Sequence, residues 1–311
     1  MNYNKKDVVI VSAVRTPIGA YRGSLKNIRS DQLGAIVIEG VLKKSKFSKE
    51  EIDEVIMGQV LTAGGGQNPA RQAAINAGIP NSKPSHIVNQ VCGSGLRSVI
   101  SGYQSIKLGE VNNVISGGQE NMSLSPHSVF YRDRDNRKIT EHELVDTMIK
   151  DGLLDAFNDY HMGVTAENVA KKFNISREEQ DEFALNSQKK TEKAISNNKF
   201  NDELIKINKN GVILNKDEHP RTDLKISDLS KLKTVFLENG TVTPGNSSGI
   251  NDGAAALVLM SREQAEKKSL ESLVKIVSWA TCGVEPSLMG LGPIPSIQEA
   301  LYKANWKIDE V

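Results

Sequence analysis

The sequence predicts an α/β protein: an α/β half over residues 1–121, a loop-rich lobe inserted over 122–249, and the opening of a second α/β half over 272–311. Three observations carry this. Apolar runs of strand type alternate with stretches of helical periodicity up to Gln119, the pattern of a layered α/β core. From about residue 122 the texture turns polar and irregular, and an apolar strand returns only after residue 250. Two short patterns also recur in the same order, Val-x-Ile-Val-Ser at 8–12 and 274–278, then Ile-Asp-Glu-Val at 52–55 and 308–311. A helix separates them each time, so a duplicated half is expected, with 250–271 returning to the first half.

Val8 to Ser12 is the first strand, bounded by a polar N-terminus and Arg15-Thr16-Pro17. A helix follows from Asp31, where Leu33, Ile36, Val37 and Val41 recur at helical spacing. Ser48-Lys49-Glu50-Glu51 has the form of a capping box for a short helix, and Ile52 to Ile56 leads into the next strand. Gly64-Gly65-Gly66 precedes a helix through Arg71 to Ala77. It lacks the Lys-Ser/Thr of a phosphate loop and reads as a core or subunit-contact loop. In the lobe, the charged run 131–142 reads as an exposed insertion, and Ser176 to Glu179 as a second capping box opening an amphipathic helix towards Ser196. Asn210-Gly211 and Asp217 to Pro220 read as turns, and Ala254 to Met260 as a strand.

Charge is balanced, 39 basic residues against 38 acidic, which gives no general attraction to nucleic acid or membrane. Two cysteines are too few for a disulfide framework and fit a reducing compartment. No apolar run has membrane-spanning length or the form of a signal-peptide core, so a soluble cytoplasmic protein is expected. The five histidines show no metal-ligand spacing with the cysteines, and no metal site is expected.

Cys92 is the candidate nucleophile. It follows an extended stretch, His86 to Val91, and precedes Gly93-Ser94-Gly95 and a helix-forming run from Leu96. A helix N-terminus favours negative charge and hence the thiolate, the nucleophilic form. The glycines let another molecule approach, and nearby N–H groups could face a developing oxyanion. Taken alone, such a cysteine also fits a small buried hydrophobe.

Seven ordered stretches together resemble the thiolases, and among them the biosynthetic acetyl-CoA acetyltransferases. They are Val11-Ser-Ala-Val-Arg-Thr-Pro-Ile-Gly19, Asn68-Pro-Ala-Arg-Gln-Ala-Ala74, Asn89-Gln-Val-Cys-Gly-Ser-Gly-Leu-Arg97 and Gly117-Gly-Gln-Glu-Asn-Met-Ser123. The others are Asp146-Thr-Met-Ile-Lys-Asp-Gly-Leu153, Tyr160-His-Met-Gly-Val-Thr-Ala-Glu-Asn168 and Asn246-Ser-Ser-Gly-Ile-Asn-Asp-Gly-Ala-Ala255. The resemblance implies a layered αβαβα fold of two similar halves and a lobe that cradles coenzyme A. It further implies a homotetramer, as a dimer of dimers, or at least a dimer. The activity implied is condensation of two acetyl-CoA to acetoacetyl-CoA and coenzyme A, or the reverse thiolysis, through an acyl thioester on Cys92. Coenzyme A thioesters are then substrates, and no cofactor is implied.

By the same likeness Leu153, His161 and Met162 line the pantetheine tunnel, and Arg221 contacts the nucleotide end of coenzyme A. Ser248 lies near the pantetheine amide, and Phe236 and Met289 give apolar lining. Asp228 and Pro244 depart from the family's usual serine and alanine. The family's Asn-Glu-Ala-Phe segment, its Gly-His-Pro histidine and its second catalytic cysteine have no match up to Val311. Cys282, in Trp279-Ala-Thr-Cys-Gly-Val, reads as a structural residue at a strand end. The helix from Ser296 would keep an uncovered apolar face. The sequence is accordingly expected to be a fragment of a longer chain, inactive alone. Other readings are a longer-chain 3-ketoacyl-CoA thiolase, a hydrolase with a nucleophile elbow, and a non-catalytic coenzyme A-binding protein.

Overall fold

The computed structural model describes residues 4–129, 144–209 and 211–311. The first half runs β1 (Val8–Arg15), β2 (Gly19–Ala20), α1 (Ser30–Ser45), β3 (Glu54–Gly58), α2 (Pro69–Asn76), β4 (Ser85–Val88), α3 (Ser94–Leu108) and β5 (Asn113–Asn121). The lobe holds β6 (His127–Ser128), β7 (Val145–Asp146), α4 (Met162–Phe173), α5 (Arg177–Ser196), β8 (Ile207–Lys209), β9 (Val212–Leu214) and α6 (Ile226–Leu229). Then come β10 (Asn251–Ser261), α7 (Arg262–Lys267), β11 (Val274–Lys275) and α8 (Pro293–Ala304).

One mixed sheet organises the molecule, in the order β11-β1-β10-β5-β3-β4, with β2 added to β10. The strands β5, β3 and β4 are mutually parallel, whereas β10 lies antiparallel between β1 and β5. Its strands are apolar on both faces, as expected of strands covered on both sides. Val9, Val55, Met57, Ile115, Val258 and Met260 join the core beneath α1 and α2. Their neighbours Val8, Ile56, Val114 and Leu259 form a second cluster on the α3 side, with Val99, Tyr103 and Ile106. Helix α1 inserts Leu33, Val37 and Val41, fully buried at the helical spacing read from the sequence, together with Ile38, whereas Ile36 is only partly buried.

Several local expectations change. Ser48 does not cap a backbone N–H; its hydroxyl donates to the Glu50 carboxylate, and the segment Lys49–Glu51 closes as a single 3-10 turn. The box at Ser176 does form, with Glu179 N–H donating to Ser176 Oγ at 3.1 Å and Ser176 N–H to Glu179 Oε2 at 2.7 Å. The triglycine loop is not core: Gly64 and Gly66 are exposed and have positive φ. Cys282 is not at a strand end but in an irregular segment seven residues beyond β11, half-exposed, its N–H donating to Ser296 Oγ. The run 131–142 and Asn210 lie outside the described residues.

The repeated patterns acquire a structural meaning. Of 274–278, only Val274 and Lys275 form strand, and they pair antiparallel with Ile10 and Val9 on the outer edge of β1. Helix α8 ends in a left-handed residue, Asn305, as α1 ends in Lys46, and each is followed by a short 3-10 turn. Unlike α1, α8 buries none of its residues, and Ile294, Ile297 and Tyr302 are exposed. Trp279 joins it to α3, with Lys303 Nζ 5.5 Å and the Arg97 guanidinium 5.8 Å from its ring centre.

Candidate active site: the Cys92 turn and the α4 lobe

Cys92 is exposed at the entry to α3, beside the carboxyl ends of β3, β4 and β5, where open α/β sheets commonly place their chemistry. The extended stretch is shorter than expected and the helix longer, β4 ending at Val88 and α3 beginning at Ser94. Between them the chain makes a tight reversal with Val91 in the left-handed region, φ 48°, an uncommon conformation for a β-branched residue. Hydrogen bonds hold it there. Ser94 Oγ donates to Val91 C=O at 2.6 Å and accepts from Gln90 N–H at 2.9 Å, and Asn89 Oδ1 accepts from Val91 N–H at 2.9 Å. The N–H groups of Gly93 and Ser94 are spent inside the turn, on Gln90 and Val91 carbonyls at 3.0 Å. Neither is therefore free for an oxyanion.

The turn rests on the sheet through backbone contact. A methyl group at Gly58 would overlap the Ser94 carbonyl carbon and Gly95 nitrogen, so only glycine at the end of β3 admits α3 so closely. One turn on, Ser98 Oγ donates to Gly117 C=O at 2.7 Å, and Ser116 Oγ donates to Ser98 C=O at 3.0 Å.

In the lobe, α4 gathers most of the other singled-out residues. A π-helical turn, Met148–Leu153, places Leu153 next to Leu154, which bridges to His161. His161 caps α4, its Nδ1 accepting Gly163 N–H at 3.0 Å. That bond assigns the ring proton to Nε2, and burial lowers the histidine's pKa, so the ring is held neutral. Phe236 stacks on it, with ring centres 4.6 Å apart. Met162 is the first residue of α4, and Asn168 of the same helix donates to Ser287 C=O at 3.0 Å, holding the 286–291 turn that carries Met289.

The remaining two lie along α5. Ser248 is exposed in a cleft of about 520 Å³ between α5 and the 245–251 segment, lined also by Phe183, Gln188, Asp217 and His219. Arg221 is anchored by its backbone N–H to Gln188 Oε1 at 2.9 Å, while its side chain is exposed. Asp228 accepts Lys225 N–H at 3.0 Å at the start of α6, which gives this carboxylate a local capping role. Cys92 makes no hydrogen bond or ring contact with the α4 group among the described residues.

Several motif residues prove to be joints. Arg15 grips Asp217 through two nitrogens, at 2.7 and 3.0 Å, and Glu203 at 2.6 Å. Asp217 and Glu218 in turn accept N–H groups of Ile18 and Ala20 at 2.8 Å. Asp252 accepts Ser123 N–H at 3.0 Å and its hydroxyl at 2.6 Å. Glu120, at the end of β5, accepts Val60 N–H at 2.8 Å; burial raises its pKa to about 7, with nearby Asp252 adding to the rise. Sequence reading singled out none of these acids. Glu120 and Asp252 stand as carboxylates within small-residue motifs, whereas Asp217 and Glu218 lie in a stretch read only as a turn. Among the described residues no group of three or more His, Cys, Asp or Glu converges as metal ligands do.

Residues 8–263 match the model of the thiolase N-terminal domain. An acetyl-CoA acetyltransferase of Rhizobium meliloti is 48% identical over 308 residues, 98% of this chain and 78% of that protein. Among solved structures, the acetyl-CoA acetyltransferase of Bacillus anthracis superposes with a TM-score of 0.93 at 39% identity, covering 98% of this chain and 78% of that one. Human mitochondrial 3-ketoacyl-CoA thiolase, solved in complex with CoA, gives 0.94 at 37% identity, covering 99% and 78%. On sequence and fold alike, the chain belongs to the thiolase family.

Proposed function

We infer that the chain is an acetyl-CoA C-acetyltransferase, and that Cys92 carries the acyl group. The carrying observation is an exposed cysteine on a strained, hydrogen-bonded turn at a helix entry, in a chain 48% identical to a relative named acetyl-CoA acetyltransferase. In the first half-reaction the Cys92 thiolate attacks the thioester carbonyl of acetyl-CoA. A sulfur–carbon bond forms, and coenzyme A leaves as a thiolate that takes up a proton. In the second, a further acetyl-CoA loses a proton from its methyl group. The resulting carbanion attacks the acyl-cysteine carbonyl; a carbon–carbon bond forms and the Cys92 sulfur–carbon bond breaks. Acetoacetyl-CoA is released as the departing Cys92 thiolate takes up one proton, balancing the one lost from the methyl group. The division replaces one difficult Claisen step by two easier ones.

The lobe serves as the coenzyme A cradle in this reading. Leu153, Met162, Phe236 and Met289 supply apolar walls for the pantetheine arm, and His161 a neutral ring whose Nε2–H has no partner among the described residues. Ser248 and Arg221 flank the cleft along α5, which suits the amide and nucleotide ends. No cofactor enters the scheme, so activity is expected to survive chelators. We further propose a cytoplasmic homotetramer or dimer, with light scattering as its test. Among the described residues no helix is long and apolar enough to cross a membrane.

The test is intact mass after brief incubation with acetyl-CoA, followed by product analysis. An acetyl adduct mapping to Cys92, absent from Cys92→Ser, supports the assignment, as does acetoacetyl-CoA as product. An equal adduct on the variant, or free acetate alone, overturns it.

A further inference from the structure

Helix α4 does more than present His161. Its Glu167 is 5% exposed, yet the carboxylate pairs with no cation among the described residues. Instead it accepts four hydrogen bonds from one short segment: Thr241 N–H at 2.8 and 2.9 Å to its two oxygens, Thr241 Oγ1–H at 2.8 Å and Val242 N–H at 2.8 Å. A buried carboxylate satisfied entirely by N–H and O–H donors fixes those donors in space, because losing any bond leaves buried charge unmet.

The segment so fixed is a strap packed against α4. Val235 N–H donates to Val242 C=O at 3.1 Å, so residues 235–242 form a closed loop with Phe236 at its start. Phe236 stacks on His161 and lies over Gly163, where any side chain would collide with its ring. Gly163 and Glu167 stand four residues apart on α4, hence on one face. That face grips the strap at two points, the Phe236 ring and the Thr241–Val242 backbone. Past Val242 the chain continues through Thr243 and Asn246, joined at 2.8 Å, to Ser248.

We propose that Glu167 is a positioning residue for coenzyme A: it holds the 235–248 strap so that Phe236 and Ser248 stand in register with His161 and Met162. This rests on the reading of the lobe as the coenzyme A cradle. Glu167 touches no substrate and acts through the strap. An amide at this position offers one acceptor oxygen and turns its NH2 towards the Thr241 and Val242 donors, so Glu167→Gln releases the strap while nearly preserving volume. Gly240→Ala strains the same contact from the other side, since its methyl group would overlap the Glu167 carboxylate.

Two readouts on the full chain test this: calorimetric titration with coenzyme A, and the NMR signal of the His161 ring, which the stacked Phe236 shifts. Glu167→Gln is expected to weaken coenzyme A binding by about tenfold, the loss of roughly one charge-assisted hydrogen bond. The His161 signal should move towards its unstacked position, while alkylation of Cys92 by iodoacetamide stays within about twofold of the parent rate. Coenzyme A affinity and the His161 signal both unchanged in a folded Glu167→Gln protein would overturn the proposal. If Glu167→Gln does not fold, Gly240→Ala is read by the same two criteria. If the parent chain itself fails to bind coenzyme A, the cradle reading falls. The His161 signal then decides whether Glu167 sets the strap: movement sustains that role, and none removes it.

Discussion

The turn around Cys92 and the lobe around His161 are held in contrasting ways. The turn is fixed by main chain: bonds from Gly93 and Ser94 back to Gln90 and Val91, one serine hydroxyl, and bare contact between Gly58 and the start of α3. The lobe is fixed by buried or partly buried carboxylates acting at a distance in sequence, Glu167 on 241–242, Asp181 on Asn246 at 2.9 Å, and Asp217 on Arg15 and Ile18. A nucleophile must be placed to a fraction of an ångström, which rigid backbone packing provides. A cradle for a long flexible ligand, the role proposed for the lobe, tolerates small movement, and side-chain bonds can hold it without closing it. The first region should therefore be sensitive to added volume, and the second to lost acceptors.

Gly58→Ala tests the first half of that contrast and should have the largest effect. The added methyl group meets backbone atoms of Ser94 and Gly95, which cannot rotate aside, so α3 must lift from β3. Overpacking of this kind costs about 1–3 kcal/mol or more. Because the strain falls on the turn itself, Cys92 acylation should drop by about a hundredfold or more, beyond what the stability loss explains. Stopped-flow acylation beside chemical denaturation separates the two. A variant that loses stability but acylates at the parent rate would show that the turn is not positioned through Gly58.

Glu120 adds a pH signature at the sheet end. Its folded pKa is about 7 against an ordinary 4.5, because burial outweighs the N–H groups of Val60 and Leu61 that favour the anion. The native state therefore keeps a proton that the unfolded chain releases between these values. This group's contribution to stability is fully present below pH 4.5 and is lost as pH rises through about 7. The span corresponds to roughly 3 kcal/mol, an upper figure for a group with some exposure. Denaturation midpoints across pH 4.5 to 7.5 should fall less steeply in Glu120→Gln than in the parent. Parallel profiles would show that Glu120 ionises normally.

The same contrast explains what the sequence could reveal. Local patterns were legible where local chemistry decides: Leu33, Val37 and Val41 on one face of α1, the Ser176–Glu179 box, and a cysteine before Gly-Ser-Gly at a helix entry. The Ser48 box did not form: its segment closes only a 3-10 turn and its hydroxyl donates to Glu50, an outcome that spacing alone does not distinguish. The place of β10 between β1 and β5, and the partners of Glu167, Asp217 and Glu120, depend on contacts between residues tens to more than two hundred positions apart. Glu167 and Asn168 stood inside a quoted motif, but on an amphipathic helix an acid and an amide look like ordinary solvent-facing residues. Only the tertiary structure turns them inward.

Phe236→Leu probes the lobe most gently and should have the smallest effect. Leucine keeps an apolar wall over Gly163 but removes the stack on His161, an interaction worth about 0.5–1.5 kcal/mol. Coenzyme A affinity should fall by no more than about tenfold, with the Cys92 alkylation rate unchanged. The His161 ring, less shielded from water, should titrate closer to its ordinary 6.5 than in the parent, where burial depresses it. The direction follows from the charged form being the one that burial penalises. A titration followed by NMR distinguishes two causes of weaker binding. If affinity falls and the His161 midpoint rises, the stack shapes the ring's surroundings as well as the wall. If affinity falls and the midpoint stays, the wall alone matters, and the strap is held by Glu167 independently of Phe236.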